Sequence, residues 1–548
     1  APPIAELRDA VLDAVRTYTR NEKVAPGTPL MDAGLNSLSA TQLALQLEER
    51  TGVALLPTLI FQFSTADAIA GHLHAMLAPT SIEEPLLGRN QGADDGAERR
   101  RDAHVAGTAA RWPSGASSDR ELARLADASY DAVSEVPASR WLVPDDEVRH
   151  PAVRFVASVR NAELFDSASF ALSPTEALWM DPQQRLLLEK GYAALHDGSR
   201  GRSSLLAHDV AVVVGIQAND FANVAMDTPT AALPVYAVSG STFSVAAGRL
   251  SYVLGMQGAC YNTDTACSTA LVAAHAAATM VRDAECESAL TLAVNLMLLP
   301  LGHLLVAIAG MTSADGRCKF LDSRANGYVR SEGVGAALLE PKREAASLRG
   351  SAVRSDGKSA SLTAPNGEAQ AGLLRAAMLL GALEAEDVHT TECHGTGTAL
   401  GDPIETTALR QVLMPSDDRD MLGGVKANVG HMEPSAGMVG LLKLDITLGC
   451  AMVAPNAQLR VLNPHVGGAL RGAACRLPTQ PLGMEKGCEH VRRAGGVSSF
   501  GYAGTIAHAV LAFSPRKVGE ALAFGTGGSG ADSSEHQPLA FSRGADPD

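Results

Sequence analysis

The sequence predicts an α/β protein, a layered fold with mostly parallel strands, preceded by a small all-α helical bundle. Three observations support this prediction. Short apolar runs alternate with helical stretches over most of the chain, amphipathic helical patterns fill its first part, and a polar, charged segment separates the two. At 548 residues the chain is too long for a single hydrophobic core, so two or more units are expected.

The composition excludes several classes of protein. The chain is 46% hydrophobic and 19% charged, as in an ordinary globular protein, and its formal charge of -15 argues against nucleic acid as a partner. Eight cysteines form no C-x-x-C pair and no evident disulfide framework, which favours a reducing compartment, and we expect a cytoplasmic location. The chain begins at Ala1 without a signal pattern, so we expect a piece of a longer protein. Residues 289–311 carry no charged side chain, but Asn295, Pro300 and His303 favour a strand, a loop and a core helix over a membrane span.

The first unit is predicted to span residues 1–78. An amphipathic helix is expected at its start, because apolar residues recur there at helical spacing with charged residues between them: Ile4, Leu7, Val11, Val15 and Tyr18. A leucine-rich helix follows from Ser37 and is expected to stop at Gly52, a residue typical of the position just past a helix. Residues 64–67 have the pattern of a capping box that opens a last helix.

Ser37 has two interpretations. By position it is a helix N-cap, the commonest function of a serine at a helix start. The segment 32–47, however, resembles the acyl carrier proteins of modular synthases, in which this serine carries a covalent 4'-phosphopantetheine arm. The matching residues are Gly34, Leu35, Ser37 and Leu38, whereas Asn36 replaces the usual aspartate. The resemblance implies phosphopantetheine on Ser37, attached by a phosphopantetheinyl transferase whose recognition of the site depends in part on position 36.

Residues 79–104 have low hydrophobicity and mixed charge, which predicts a flexible linker. The main unit is predicted at residues 105–514, with halves at roughly 105–345 and 346–514. Residues 515–548 are rich in Gly, Ser and charge, which predicts a disordered tail or a further linker.

Cys267 lies in the stretch 264–270, between a short strand-like run and a long alanine-rich run that predicts a buried helix. At the mouth of a helix, unpaired N–H groups and the helix dipole favour the thiolate, the nucleophilic form of cysteine. Taken alone, a free cysteine in an apolar setting is more often inert core filling.

Three further stretches carry residues suited to chemistry. Residues 392–403 place His394 among glycines; no Lys-Ser/Thr follows, so a phosphate loop is a poor interpretation. Residues 426–431 contain Lys426 and His431. The alternative is that this segment is only a polar loop. Residues 496–505 form a glycine-rich turn that can direct backbone N–H groups into a cavity.

A cysteine with two histidines on separate loops is the set required for carbon–carbon bond formation by decarboxylation. The thiol accepts an acyl group from a thioester, and two neutral imidazole N–H donors stabilise the enolate that remains when a malonyl-type extender loses CO2. A proteolytic Cys–His pair is the alternative, but it lacks an evident orienting partner.

These motifs, in this order, closely resemble the β-ketoacyl synthase domains of type I polyketide and fatty acid synthases. The resemblance extends over further stretches, at residues 110–113, 180–185, 315–319, 327–333 and 362–367. It implies a thiolase-like fold of five layers, αβαβα, and a homodimer. It also implies that Cys267 is the acyl-accepting nucleophile and that His394 and His431 promote decarboxylation.

Four more positions take their expected roles from the same resemblance. Lys426 would organise the site, and its expected ion partners are Glu332, Asp402 or Glu405. The oxyanion hole would consist of the N–H groups of Cys267 and Tyr502, with the Tyr502 side chain as an aromatic gate.

The chain also departs from the family pattern. Ile506 replaces an asparagine, a change that could loosen the loop around it, while Ala399 and Gly248 replace a proline and an asparagine. None of these positions touches the cysteine or either histidine. We therefore expect a carrier and ketosynthase pair that condenses acyl and malonyl thioesters held on carrier domains, with an acyltransferase supplied elsewhere. The alternatives are a non-elongating ketosynthase that only transfers acyl chains and an inactive dimerising scaffold.

Overall fold

The computed structural model describes residues 2–19, 21–30, 33–35, 37–53, 55, 59, 63, 65–77, 101–142, 153–226, 229, 233–341, 346–414, 420–473, 475–484 and 493–513. Most of the predicted linker and the whole predicted tail lie outside the described residues. The helices are α1 Ile4–Thr19, α2 Ser37–Thr51, α3 Ala66–Leu77, α4 Asp119–Asp127, α5 Pro174–Leu178, α6 Pro182–Asp197, α7 Asp220–Met226, α8 Ala237–Ser241, α9 Phe243–Leu254, α10 Thr269–Arg282, α11 Pro300–Ile308, α12 Gly367–Gly381, α13 Gly401–Leu413, α14 Lys426–Val429, α15 Ala436–Cys450 and α16 Pro464–Ala469. The strands are β1 Ala103–Arg111, β2 Ser134–Glu135, β3 Phe155–Val156, β4 Val210–Gly215, β5 Cys260–Thr263, β6 Ser288–Asn295, β7 Gly333–Glu340, β8 Ser347–Ser355, β9 Val388–Glu392, β10 Asp420–Gly423, β11 Met452–Val453, β12 Cys475–Arg476, β13 Leu482–Gly483, β14 Arg493–Phe500 and β15 Thr505–Phe513.

Helices α1, α2 and α3 form the small bundle that the sequence predicts. They share one apolar core, to which α1 contributes Val11 and Val15 and α3 contributes Leu73. The backbone N–H of Ala68 donates to Thr65 Oγ1 at 3.2 Å, so Thr65 caps the start of α3. The second helix ends before Gly52, whose φ of +68° suits glycine.

The main sheet has eleven strands in the order β12-β10-β9-β14-β15-β8-β1-β7-β6-β4-β5. Its two halves repeat one pattern. In one half the order from the edge is β5-β4-β6-β7-β1; in the other, inside the short edge strand β12, it is β10-β9-β14-β15-β8, with matching strand directions. The halves meet where β1 pairs with β8. The loops after β5 and after β10 are therefore equivalent positions in the two halves.

Helices cover both faces of each half. Along β4, Ala211 and Val213 pack into a central apolar core, whereas the alternating Val212 and Val214 pack into an outer one. The central core holds α10 and α15 between the two halves of the sheet. The outer cores hold α6 and α9 on one side and α12 and α13 on the other. This arrangement is the expected αβαβα layering.

The expectation of mostly parallel strands is wrong. In the main sheet the parallel pairs are β12/β10, β10/β9, β9/β14, β6/β4 and β4/β5, and as many pairs are antiparallel, all of them in the centre. The sequence misleads here because a strand covered by helices on both faces is a continuous apolar run whichever way its neighbours point.

The apolar window at 289–311 folds as β6, a short connection and α11, as the strand-loop-helix interpretation predicts. Leu301, Leu305 and Ile308 of α11 are exposed, so this helix is less buried than expected. Among the described residues, no helix has the length and apolar character needed to cross a membrane.

Candidate active site

Four loops at the ends of strands bring the predicted residues together. Cys267 lies between β5 and α10, His394 follows β9, His431 lies between α14 and α15, and Tyr502 lies in the turn between β14 and β15. Nε2 of His431 is 3.1 Å from Sγ of Cys267. The rings of His394 and His431 meet edge to face, with centroids 5.5 Å apart. His394 and His431 thus lie beside Cys267 in one buried site, although they are 127 and 164 positions away from it in sequence.

The backbone around Cys267 forms a sharp, hydrogen-bonded turn. Ala266 has a φ of +54°, a left-handed conformation that alanine rarely adopts. The turn is held by Thr269, whose side chain accepts from the N–H of Thr265 at 2.8 Å and donates to the carbonyl of Ala266 at 2.6 Å. Ser499 of β14 donates to the carbonyl of Cys267 at 2.6 Å. These contacts fix the position of the sulfur relative to both halves of the protein.

The resting thiol differs from the expectation. Burial, with the Glu433 carboxylate adding to it, raises the pKa of Cys267 to about 12, although Lys426 and the backbone N–H groups of Tyr502 and Cys267 act in the opposite direction. The helix mouth therefore does not yield a resting thiolate, because desolvation outweighs the dipole. The two N–H groups nevertheless stabilise negative charge at the sulfur.

Both histidines are held in one tautomer. The backbone N–H of Glu433 donates to Nδ1 of His431 at 3.3 Å, and the N–H of Phe500 donates to Nδ1 of His394 at 3.3 Å. Because Nδ1 accepts in each ring, the proton of the neutral imidazole is on Nε2. Burial, with Lys426 adding to it, holds the pKa of both imidazoles well below the usual range of histidine. The site therefore offers two neutral Nε2–H donors.

The structure corrects the expected role of Glu332 as the ion partner of Lys426. Arg140 donates to both carboxylate oxygens of Glu332, at 2.7 and 2.9 Å, and the N–H groups of Val159 and Met297 also donate to it. Glu332 is thus a fully engaged structural group.

Lys426 is buried, and its pKa is lowered by desolvation, while Glu392 and Glu405 act in the opposite direction. The two carboxylates that act on it are therefore Glu392, which sequence reasoning missed, and Glu405, which it proposed. Glu405 also shapes the neighbouring loop: its carboxylate accepts from the N–H of His394 at 2.6 Å and of Gly395 at 2.9 Å. Burial raises the pKa of Glu405 to about 7.

Asp402, the third expected partner of Lys426, supports the histidine loop instead. It accepts from the N–H groups of Leu321, at 2.9 Å, and Gly397, at 3.1 Å. Its carboxyl is buried, which raises its pKa to about 8.

Two buried ion pairs beside the site were missed from the sequence. Lys443 donates to Glu392 at 2.5 Å, and Arg330 donates to Glu433 through two hydrogen bonds of 2.7 and 2.6 Å. A signal for the first exists, since Lys443 is the first charged residue in α15 and follows a run of seven uncharged residues. Glu433, two residues after His431, carries no comparable sequence signal.

Contrary to the expectation from the sequence, Ile506 does not loosen the loop around it. Its side chain is fully buried in the outer apolar core, together with Phe320 and Val510 of the same cluster. Ile506 pairs with Phe500 across β14 and β15. The replacement therefore adds to packing under the loop instead of loosening it.

In the carrier bundle, Ser37 is the first residue of α2 and follows a loop in which Gly34 has a φ of +102°. Leu35 is buried and anchors this loop to the bundle core. A serine hydroxyl at this helix start fits a phosphodiester to phosphopantetheine. Asn36 lies outside the described residues.

Comparison with known families gives three matches. The N-terminal domain of β-ketoacyl synthase matches residues 100–345, and its C-terminal domain matches residues 345–460. The phosphopantetheine attachment site matches residues 6–73, which indicates a covalently attached phosphopantetheine in the bundle.

Relatives are found among modular polyketide synthases. The chain is 36% identical over 537 residues to the spectinabilin polyketide synthase system protein NorA' of Streptomyces orinoci, covering 92% of this chain and 14% of that protein. It is 35% identical to the erythronolide synthase EryA2 of Saccharopolyspora erythraea, covering 88% of this chain and 14% of that protein. The chain therefore spans about one seventh of the length of these curated relatives.

Solved ketosynthase structures share the fold. The ketosynthase from module 6 of the bacillaene synthase of Bacillus subtilis 168 superposes with a TM-score of 0.68 at 31% identity, covering 75% of this chain and 72% of that one. The oxazolomycin ketosynthase domain OzmH KS7 of Streptomyces albus JA3453 gives 0.69 at 29% identity, covering 77% of this chain and 75% of that one.

Proposed function

Because the chain belongs to the β-ketoacyl synthases of modular polyketide synthases and carries a phosphopantetheine carrier domain, we propose that it catalyses decarboxylative condensation of acyl and malonyl-type thioesters. The observation that supports this most directly is the pair of neutral Nε2–H donors on His394 and His431: Nε2 of His431 is 3.1 Å from Cys267 Sγ, and the two imidazole rings meet edge to face. We assign the carrier to residues 1–78, the linker to 79–104 and the ketosynthase to 105–514.

The first step is acyl transfer to Cys267. The sulfur attacks the carbonyl carbon of an acyl thioester, and the thioester C–S bond breaks. The thiol proton passes to the departing sulfur, so that the products are acyl-Cys267 and a free thiol. Negative charge on the carbonyl oxygen is stabilised by the N–H groups of Cys267 and Tyr502, which direct their hydrogens at this region.

The second step is condensation. A malonyl-type thioester loses CO2, and the electron pair of the broken C–C bond becomes an enolate. The enolate oxygen accepts hydrogen bonds from Nε2–H of His394 and of His431. Its carbon then attacks acyl-Cys267; the C–S bond breaks, a β-ketoacyl thioester leaves, and the cysteine sulfur takes up a proton. Burial keeps both imidazoles neutral by lowering their pKa, and the charge of Lys426 lowers it further.

When attached to Ser37, phosphopantetheine supplies a terminal thiol that holds an acyl group as a thioester. The residues that would present it are Ser37 at the start of α2 and the loop from Gly34 to Leu35. Replacement of Ser37 by Ala is expected to abolish the mass gain on treatment with a phosphopantetheinyl transferase. Acylation of Cys267 from a free acyl thioester should continue, and loss of that acylation would contradict the division of roles between the two domains.

Homodimerisation is proposed through β5. This strand ends the main sheet, so one side of its backbone has no partner strand in the described part of the chain. Tyr261 on β5 and Tyr252 on the adjacent α9 are exposed, Tyr252 to 86%. An exposed strand edge beside aromatic side chains is suited to pairing with a second copy. Tyr261→Lys should shift the protein toward monomer in light scattering, and an unchanged dimer would exclude this surface.

The experiment that tests the function uses intact-protein mass spectrometry. The protein, with phosphopantetheine on Ser37, is incubated with an acyl thioester and a malonyl carrier, the extender being loaded by a separate acyltransferase. Acyl-Cys267 and a β-ketoacyl product are expected, and both should vanish in Cys267→Ala. Acyl-Cys267 without ketoacyl product would favour a ketosynthase that only transfers acyl chains, and absence of both would favour a scaffold.

A further inference from the structure

An ion pair lies directly behind His431. Arg330 Nε donates to Glu433 Oε1 at 2.7 Å, and Arg330 Nη2 donates to Oε2 at 2.6 Å, so the pair is bidentate. Asn295 Nδ2 is 3.5 Å from Oε2. Both charged side chains are almost fully buried, with exposures of 8% and 11%. The mechanism proposed above assigns no role to either residue.

Glu433 contacts the catalytic ring through its backbone, because its N–H donates to Nδ1 of His431. To place that N–H, Glu433 adopts a φ of +48°, a left-handed conformation that a residue with a long side chain seldom takes. Something must hold it there. The bidentate ion pair with Arg330 restrains the Glu433 side chain and can thereby hold its backbone in this conformation.

Arg330 is itself tied to the backbone of His431. The N–H of His431 donates to the carbonyl of Val329 at 2.7 Å, and the N–H of Ser331 donates to the carbonyl of His431 at 2.9 Å. Segment 329–331 and His431 therefore form a short parallel β-bridge. The guanidinium of Arg330, on this segment, binds the Glu433 carboxylate. Gly302 of α11 packs beside the guanidinium, since a Cβ there would be in ordinary van der Waals contact with Arg330 Nη1 at 3.4 Å.

We infer that the Arg330–Glu433 pair is a positioning element that holds the Glu433 N–H against His431 Nδ1 and so keeps the His431 proton on Nε2. This inference rests on the proposed function, because the Nε2–H donor matters only if an enolate forms. The charge of Arg330 acts in the same sense, since it lowers the pKa of His431. The ionisable groups that face His431 are Cys267, His394, Tyr328, Lys426, Arg330 and Glu433.

The test separates positioning from mere packing with three variants. In Arg330→Met/Glu433→Met both charges are replaced by side chains of similar length, a change that buried ion pairs often tolerate in stability. Decarboxylation of a malonyl carrier should fall about 10- to 100-fold because the Nε2–H donor is no longer fixed. Acylation of Cys267 should not slow, because Glu433 raises the pKa of that thiol. In Glu433→Gln, where Arg330 still has an oxygen to contact, decarboxylation should stay within about threefold of wild type.

The third variant, Arg330→Met, leaves the Glu433 charge beside His431. It should raise the pKa of His431, so that the decarboxylation rate begins to decline at a higher pH than in wild type as the solution is acidified. The control is Arg200→Met/Glu340→Met, which removes another arginine–glutamate pair, in which Nε and Nη2 of Arg200 lie 3.0 and 2.9 Å from Oε1 of Glu340. Its decarboxylation rate should match wild type.

Spectra of protein labelled with ¹⁵N-histidine decide the inference independently of turnover. His431, assigned by difference with His431→Asn, should show an unprotonated Nδ1 in wild type and in Glu433→Gln, and a mixture of tautomers in the double variant. A double variant with the wild-type tautomer and decarboxylation rate would overturn the inference. A wild type that shows the expected tautomer but releases no CO2 would sustain the positioning role and refute the proposed function.

Discussion

Gly501 offers a sharp test of the oxyanion hole. A Cβ at this position would lie below 3.0 Å from the carbonyl oxygen of Thr265, 3.0 Å from that of Thr505 and 3.2 Å from Ser268 Oγ. The first two of these atoms belong to the backbone, so a change of side-chain rotamer cannot relieve the clash with them. The turn that carries Tyr502 must then move away from the Cys267 turn by roughly 1 Å in Gly501→Ala, since ordinary carbon–oxygen contacts begin near 3.4 Å.

A displacement of about 1 Å takes the Tyr502 N–H out of hydrogen-bond range of the oxyanion position. Loss of one such donor typically costs on the order of 10²–10³ in rate, about 3–4 kcal/mol of transition-state stabilisation. Single-turnover acylation of Cys267, followed by mass spectrometry, should therefore slow at least about 100-fold. The melting temperature is measured in parallel.

The matched control is Gly248→Ala on α9, where a Cβ would meet nothing within 4 Å. That variant should acylate at the wild-type rate and should be about as stable as wild type or slightly more so, because alanine is the better helix former. If Gly501→Ala were folded and acylated Cys267 at the wild-type rate, the N–H of Tyr502 would not belong to the oxyanion hole.

Three other predictions follow from the buried ionisable groups of the site. Lys443→Met should destabilise the protein by about 3–5 kcal/mol in chemical denaturation, because the buried Glu392 carboxylate would lose its ion pair with Lys443. Adding Glu392→Gln should restore most of the loss, and a single variant as stable as wild type would contradict the pairing. Since burial raises the pKa of Cys267 to about 12, the thiolate fraction grows with pH over the range from about pH 6 to 9. Single-turnover acylation should therefore accelerate by up to about tenfold per pH unit over that range. A plateau near pH 7 would instead show a stabilised thiolate. Decarboxylation by acylated protein should stay level over the same range, because His394 and His431 are already neutral there; a decline below pH 7 would mean that one of them takes up a proton.

The elements that carry the site could be predicted because each has a local signature. The strand before Cys267 and the alanine-rich helix after it are continuous in sequence, and so are the glycine-rich loops around His394 and His431. Such patterns depend on residues within a few positions of each other, which is what periodicity detects.

The partners of the charged residues could not be predicted, because they are distant in sequence. Glu332 finds Arg140, 192 positions away, and Glu433 finds Arg330, 103 positions away. The donors to the histidine rings are backbone N–H groups, which every residue type except proline supplies, so no side-chain pattern reveals them. The sequence predicts a lowered pKa for Cys267, and the structure gives a raised one, for a related reason. The position at a helix start can be predicted from local sequence, whereas burial is produced by the whole fold.

The architecture also explains how a buried thiol with a raised pKa can serve as the nucleophile. A Cβ on Gly437 would meet the N–H of Leu271 at 3.1 Å and the Cβ of Ala270 at 3.4 Å, so the first turns of α10 and α15 are in contact. The positive ends of two helices therefore converge between Cys267 and His431. At rest this field does not ionise the thiol, because desolvation outweighs it and only about one molecule in 10⁵ carries a thiolate at pH 7. The same field, with the fixed N–H donors, acts on the charge that would develop in the proposed acyl transfer and decarboxylation, and burial of the site strengthens that interaction. The site is thus organised to stabilise negative charge in the transition state and not in the resting protein, which is the condition under which binding energy accelerates the chemical step.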